Sequence, residues 1–187
     1  MRQARSPLPS LAPYPALQRA GLVLAGAALL TVAAKVQIPF WPVPMTLHTL
    51  AVLGLAVFGG PRLATAAFLA YLAAGAAGLP VFSGTPQRGI GLAYMAGPTG
   101  GYLLGYLAAS WLVGMLARGR GLAGRVGAML AGLATIYACG LAWLAAFVPA
   151  SALVATGLLP FIAGDLVKLA LVAAGSAALA RLRSARS

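Results

Sequence analysis

Along this chain, long apolar runs are cut at short intervals by Pro, Gly and Arg clusters. The runs fall at about 17–36, 46–59, 62–79, 99–117, 126–147 and 159–182, and each predicts a helix because it is too long and too uniformly apolar for a strand. The second run is short against the roughly 20 helical residues that a bilayer requires, which predicts a tilted, protein-surrounded or broken helix there. No repeat of fixed period is visible. The pattern divides the chain into a basic, proline-rich tail (1–16), one six-helix membrane domain (17–183) and a short C-terminal tail (184–187).

Composition turns these helices into membrane spans. Of 187 residues, 61% are hydrophobic and 7% charged, and the mean hydropathy is +0.95. So short a soluble chain leaves most residues near a surface that water requires to be polar. The expected fold class is therefore all-α, a polytopic membrane protein with six transmembrane helices. The first apolar run begins only after Arg19 and is followed by five more, so it reads as a retained span rather than a cleaved signal peptide.

Charge then orients the spans. If both ends lie on one side, that side carries Arg2, Arg5, Arg19, Arg62, Arg118, Arg120, Arg125, Arg181, Arg183 and Arg186, against Lys35 and Arg88 opposite. The positive-inside rule then predicts both termini in the cytoplasm. The net charge of +12 belongs to this asymmetry rather than to a nucleic-acid surface, because the cations sit at segment ends without interleaved aromatics. Small residues fill the spans, as in "AGLVLAGAALL" (20–30), and allow close backbone approach. Gly21 and Ala25 form a small-xxx-small pair that suits either packing within the chain or docking to a separate membrane partner.

Unusual polar and aromatic residues gather toward the outer end: Lys35, "QIPFWPVPM" (37–45), His48, the loop 79–100, and Asp165 with Lys168. Pro39, Pro42 and Pro44 predict a stiff, extended first loop carrying Phe40 and Trp41. Trp41 and Tyr94 suit either an interfacial aromatic belt or a cover over a cavity. Asp165, the sole acidic residue, stands three positions before Lys168, so the two share a helix face. Counted from Pro160, they lie about 7 and 12 Å into the sixth helix. Intramembrane charges are costly and usually face an interior or an aqueous pocket; a structural pin between two helices is the competing reading. Together with Arg88, the set suits an anionic ligand with a polar head, the cations balancing a carboxylate and Asp165 accepting N–H bonds. His48, one turn into the second helix, has no metal ligand near it beyond Asp165.

Several functions are excluded by what is missing. One Asp, no Glu and one His leave little from which to build an enzyme site that moves phosphoryl groups or cuts peptides. No G-x-x-x-x-G-K-[ST] loop occurs, so any nucleotide-driven step requires another protein. The single Cys139 forms no intramolecular disulfide and no multi-cysteine metal site. No metal and no cofactor are expected.

The motifs "QIPFWPVPMTLHTLAVL" (37–53), "FGGPRLATAAFLAYLAAGAAGLPVF" (58–82), "GPTGGYLLGY" (97–106) and "GDLVKL" (164–169) resemble the BioY family, the biotin-capturing S components of bacterial energy-coupling-factor transporters. The resemblance runs from about residue 20 to 182. It implies a subunit of the bacterial cytoplasmic membrane that binds biotin from outside and works with a transmembrane coupling protein and ABC-type ATPases. It also implies that Asp165, Lys168 and Arg88 are polar ligands of biotin, with Trp41 and Tyr94 as covers; His48, a further candidate beside them, stands where the family pattern usually has Gln. Gly21, Ala25 and Ala28 on the first helix are the implied docking residues. An S component for another vitamin, a free-standing ion-coupled carrier and a membrane enzyme are the alternatives.

Overall fold

The computed structural model describes residues 15–38 and 45–185. The expectations placed on the N-terminal tail and on Pro39, Phe40, Trp41, Pro42 and Pro44 fall outside the described residues.

Proline and glycine set most helix boundaries. α1 (Ala16–Lys35) begins after Pro15 and ends with Lys35 in its last turn, where a cation meets the negative end of the helix dipole. Beyond it the chain is extended: β1 (Gln37–Ile38) pairs antiparallel with β2 (Met45–Thr46), with Gln37 opposite Thr46. α2 (His48–Gly54) continues into a π-wound stretch, Leu55–Gly59. Gly60, with φ of 76°, breaks the run at a backbone angle that a side chain disfavours, and Pro61 starts α3 (Gly60–Ala76).

The break is a reversal. His48 lies at the far end of its arm from Gly60, yet its ring centroid is 5.8 Å from that of Phe68 and 5.2 Å from that of Tyr71, which are on α3. The expected second span, 46–59, is therefore seven α-helical and five π-wound residues folded against α3. At roughly 17 Å it is short of the hydrocarbon thickness, in line with the tilted or broken helix that the short run predicts.

The long outer loop holds one short helix, α4 (Gly91–Met95). α5 (Gly100–Ala117) and α6 (Leu122–Leu144) form the tightest helix pair, because glycines remove bulk from their seam. A Cβ on Gly105 would stand 2.8 Å from the Ile136 Cα, and one on Gly101 would overlap Trp143. α7 (Ala150–Gly157) leads through a kink at Leu158 into α8 (Leu159–Ser184), which has Pro160 in its first turn. The sequence pattern shows neither α4, α7 nor the strand pair, and it places the fifth helix about three residues late. α8 also runs through Ser184, into what was expected to be a tail.

Five stretches are long and apolar enough to cross a membrane: Ala16–Lys35, His48–Ala76, Gly100–Ala117, Leu122–Leu144 and Ala150–Ser184. The protein is an all-α membrane protein, with the second stretch divided at Gly60. Leu104, Trp111, Leu171 and Leu182 are exposed on its sides, where lipid rather than water is the apolar solvent. One buried cluster joins α1, α3 and the outer loop around Phe68, Tyr71 and Phe82. The other joins α5, α6, α8 and the π-wound stretch around Leu53, Val113 and Ile136. The cavity described next opens between them.

Candidate functional site

α8 sets the floor of the site. Asp165 and Lys168 are both buried, and the Lys168 ammonium donates to Asp165 Oδ1 at 2.8 Å. The other carboxylate oxygen, Oδ2, accepts from the Tyr137 hydroxyl of α6 at 2.6 Å. Each charge is thus compensated, as burial demands. The ammonium keeps further N–H groups for another acceptor, and each carboxylate oxygen keeps a lone pair. The free acceptor expected of Asp165 is therefore half engaged before any ligand arrives, because i, i+3 spacing and Tyr137 bring two donors to it.

Both residues line a cavity of about 280 Å3, near the lower bound of roughly 300 Å3 for pockets that enclose small molecules. Its wall carries Tyr71, Tyr94, Tyr102, Tyr106 and Tyr137, five of the six tyrosines in the chain. These rings supply apolar faces with polar tips. Several tips are engaged: Tyr102 donates to the Gly157 carbonyl at 2.7 Å, and the Tyr106 and Thr49 hydroxyls are 2.9 Å apart. Tyr102, Tyr106 and Tyr137 were not singled out from sequence. A phenol in an apolar helix reads the same whether it faces lipid or an interior; the one signal is that Tyr102 and Tyr106 stand one turn apart in "GYLLGY", and nothing comparable marks Tyr137.

The candidate residues named from sequence divide clearly. Asp165, Lys168, His48, Tyr94 and Arg88 all line this one cavity, and Trp41 lies outside the described residues. Arg88 is exposed at the rim. Tyr94 is buried, stacks on Phe82 with ring centroids 4.8 Å apart, and donates to the Ser83 carbonyl at 2.9 Å. Burial pushes its phenol pKa up, so it stays a neutral donor. That placement makes Tyr94 part of the wall rather than a belt aromatic. His48 is the first residue of α2, not one turn into it, and its Nδ1 pairs with the Leu30 carbonyl at 3.3 Å. A carbonyl only accepts, so Nδ1 carries the proton and Nε2, buried without a partner, is left as an acceptor.

Gly21, Ala25 and Ala28 are exposed on α1 and lie away from the cavity. A Cβ on Gly21 would meet nothing within 4 Å, whereas one on Gly26 would stand 2.6 Å from the Ala67 Cβ. Close packing inside the chain therefore uses Gly26, and the three named residues form a face without an intramolecular neighbour at Gly21. Arg62 and Arg125 lie away from the cavity. Gly114 of α5 abuts Gly60 and Pro61, next to Arg62, and Arg125 donates to the Ser176 carbonyl on the second half of α8.

A family model described as "BioY family" matches residues 4–185. The protein called "Probable biotin transporter BioY" in Pyrococcus horikoshii is 39% identical over 149 residues, covering 80% of this chain and 88% of that one. "Biotin transporter BioY" of Thermotoga maritima is 36% identical over 148 residues, 78% of this chain and 86% of that one. Among solved structures, the crystal structure of "the S-component for biotin from an ECF-type ABC transporter" superposes with a TM-score of 0.73 at 25% identity, covering 90% of this chain and 92% of that chain.

Proposed function

From the premise that this chain belongs to the BioY family, we propose that it is the biotin-binding S component of an energy-coupling-factor transporter, a transporter subunit rather than an enzyme. The observation that carries the reading is the buried Asp165–Lys168 pair in the floor of a tyrosine-lined cavity. Biotin presents ureido N–H donors, a ureido oxygen and a carboxylate. Asp165 accepts from N–H, the free N–H groups of Lys168 donate to oxygen, and Arg88 at the rim balances the carboxylate. Tyrosine faces, Tyr94 among them, cover the apolar atoms, and His48 completes the wall. Biotin is the cargo; no cofactor is required.

The chain forms one membrane domain (17–183) in the bacterial cytoplasmic membrane, crossing it six times with both termini in the cytoplasm and the cavity outward. The cation asymmetry supports this orientation. With no Walker loop of its own, the subunit draws energy from ABC-type ATPases through a transmembrane coupling protein, which docks on the Gly21, Ala25 and Ala28 face of α1.

Calorimetric titration of the purified protein tests the reading, with riboflavin as the competing vitamin. Asp165→Asn and Lys168→Met should each weaken biotin binding by about 2 to 4 kcal/mol, roughly 30- to 1000-fold, because truncating one half leaves the other charge buried and unbalanced. If Asp165→Asn combined with Lys168→Met restores both stability and biotin binding, the pair is a helix pin and the site assignment fails.

A further inference from the structure

On the premise that the cavity is the biotin site, we propose that Lys35 is a positioning residue that holds the outer loop shut over bound ligand. The Lys35 ammonium donates to the Thr85 carbonyl at 2.7 Å and to the Thr85 hydroxyl at 2.8 Å. Neither residue lines the cavity, but their chain neighbours do: Ala34 and Gln37 on one side, Ser83 and Arg88 on the other. The two bonds therefore bridge the rim.

Their chemistry suits a latch. Both are charge-assisted, and so stronger than neutral bonds. The Thr85 hydroxyl, in accepting from Lys35, turns its own proton to the Phe82 carbonyl at 2.7 Å, which makes a directed chain from α1 into the loop. Thr85 and Arg88 ride on one turn, since the Arg88 amide donates to the Gly84 carbonyl at 2.9 Å. What Lys35 holds is thus the arm that carries the rim arginine.

The base of the loop is fixed independently of Lys35. Phe82 is fully buried, fills the space beside Gly75 and stacks on Tyr94, and Tyr94 bonds the Ser83 carbonyl. Losing Lys35 frees the Gly84–Arg88 turn without unseating this anchor. The expected consequence is kinetic: faster release of ligand with every residue that touches it still present.

Release of radiolabelled biotin into excess unlabelled biotin, from the full chain, reads this out. Lys35→Met should speed release by about tenfold or more, while capture is unchanged or faster. Thr85→Val, which keeps the carbonyl, should give a smaller rise, and Lys35→Arg, which keeps charge and donors, should release nearly as slowly as the unmodified protein. Equal release rates for Lys35→Met and the unmodified protein overturn the proposal. So does slower capture accompanied by a lower unfolding temperature without ligand, which marks a structural post. A ligand-free measurement separates this inference from the biotin reading. With Cys139→Ala in place and Thr99→Cys in the cavity wall as the reporter, Lys35→Met should make Cys labelling by an impermeant maleimide severalfold faster, and unchanged labelling overturns the latch. Faster labelling in a protein that does not bind biotin leaves the latch standing and removes the biotin assignment.

Discussion

A lone carboxylate in an apolar helix has to be compensated, and here Lys168 and Tyr137 share the task. Asp165 and Lys168 were legible in the sequence because each is rare: one is the only acidic residue and the other stands mid-run. Tyr137 was not, since nothing along α6 says which helical face meets α8. The shared carboxylate leads to a prediction at this scale. Tyr137→Phe should lower the stability of the ligand-free protein by about 1.5 to 3 kcal/mol, the worth of a hydrogen bond to a charged group. Biotin should then raise the unfolding temperature of this variant more than that of the unmodified protein, because a ureido N–H takes the vacated acceptor. Equal thermal shifts in the two proteins would separate Asp165 Oδ2 from the ligand.

Helices α1 and α5 show how a missing side chain does different work on different faces. Gly26 on α1 faces Ala67 of α3 at a distance that excludes a Cβ, so Gly26→Leu should cost about 1 to 3 kcal/mol of stability through overpacking. Gly21, five residues earlier, has open space around it. Gly21→Leu should leave the unfolding temperature alone and reduce copurification with the coupling protein, because bulk keeps two membrane helices apart. Loss of stability in Gly21→Leu, or intact copurification, would take this face out of the docking surface. The two glycines look alike in "AGLVLAGAALL", where both are small residues in an apolar run. Only the placement of α3 against α1 separates them. The break at Gly60 and the start of α8 beside Pro160 were readable because Gly and Pro act through the backbone itself.

For the whole molecule, Arg62 and Arg125 lie away from the tyrosine cavity, and Arg88 stands at the cavity's rim. Tags at either terminus should be protected in intact spheroplasts, and Gly84→Cys should label from outside. External labelling of both termini would reverse the orientation and turn the cavity to the cytoplasm. Purified chain in vesicles should bind biotin yet accumulate it only when the coupling and ATPase subunits and ATP are supplied. Accumulation driven by a proton gradient in the chain alone would instead make it a secondary carrier.

What the sequence by itself determined is whatever a single helix or a bare count expresses: membrane solvent from hydropathy and helix ends from Pro and Gly, with an expected sidedness from arginines and a candidate site from one carboxylate beside one ammonium. Family resemblance added the ligand. Tertiary structure alone decided which tyrosines enclose the cavity, which glycine packs and which is left open, and that Lys35, an outer cation in the linear reading, is bonded to Thr85 across 50 residues of chain. The reason is physical. Burial of charge and avoidance of water act on each residue locally and leave a mark in composition. Which face meets which neighbour depends on how helices of nearly uniform apolar surface settle against one another, and in lipid both faces of such a helix are written in the same residues.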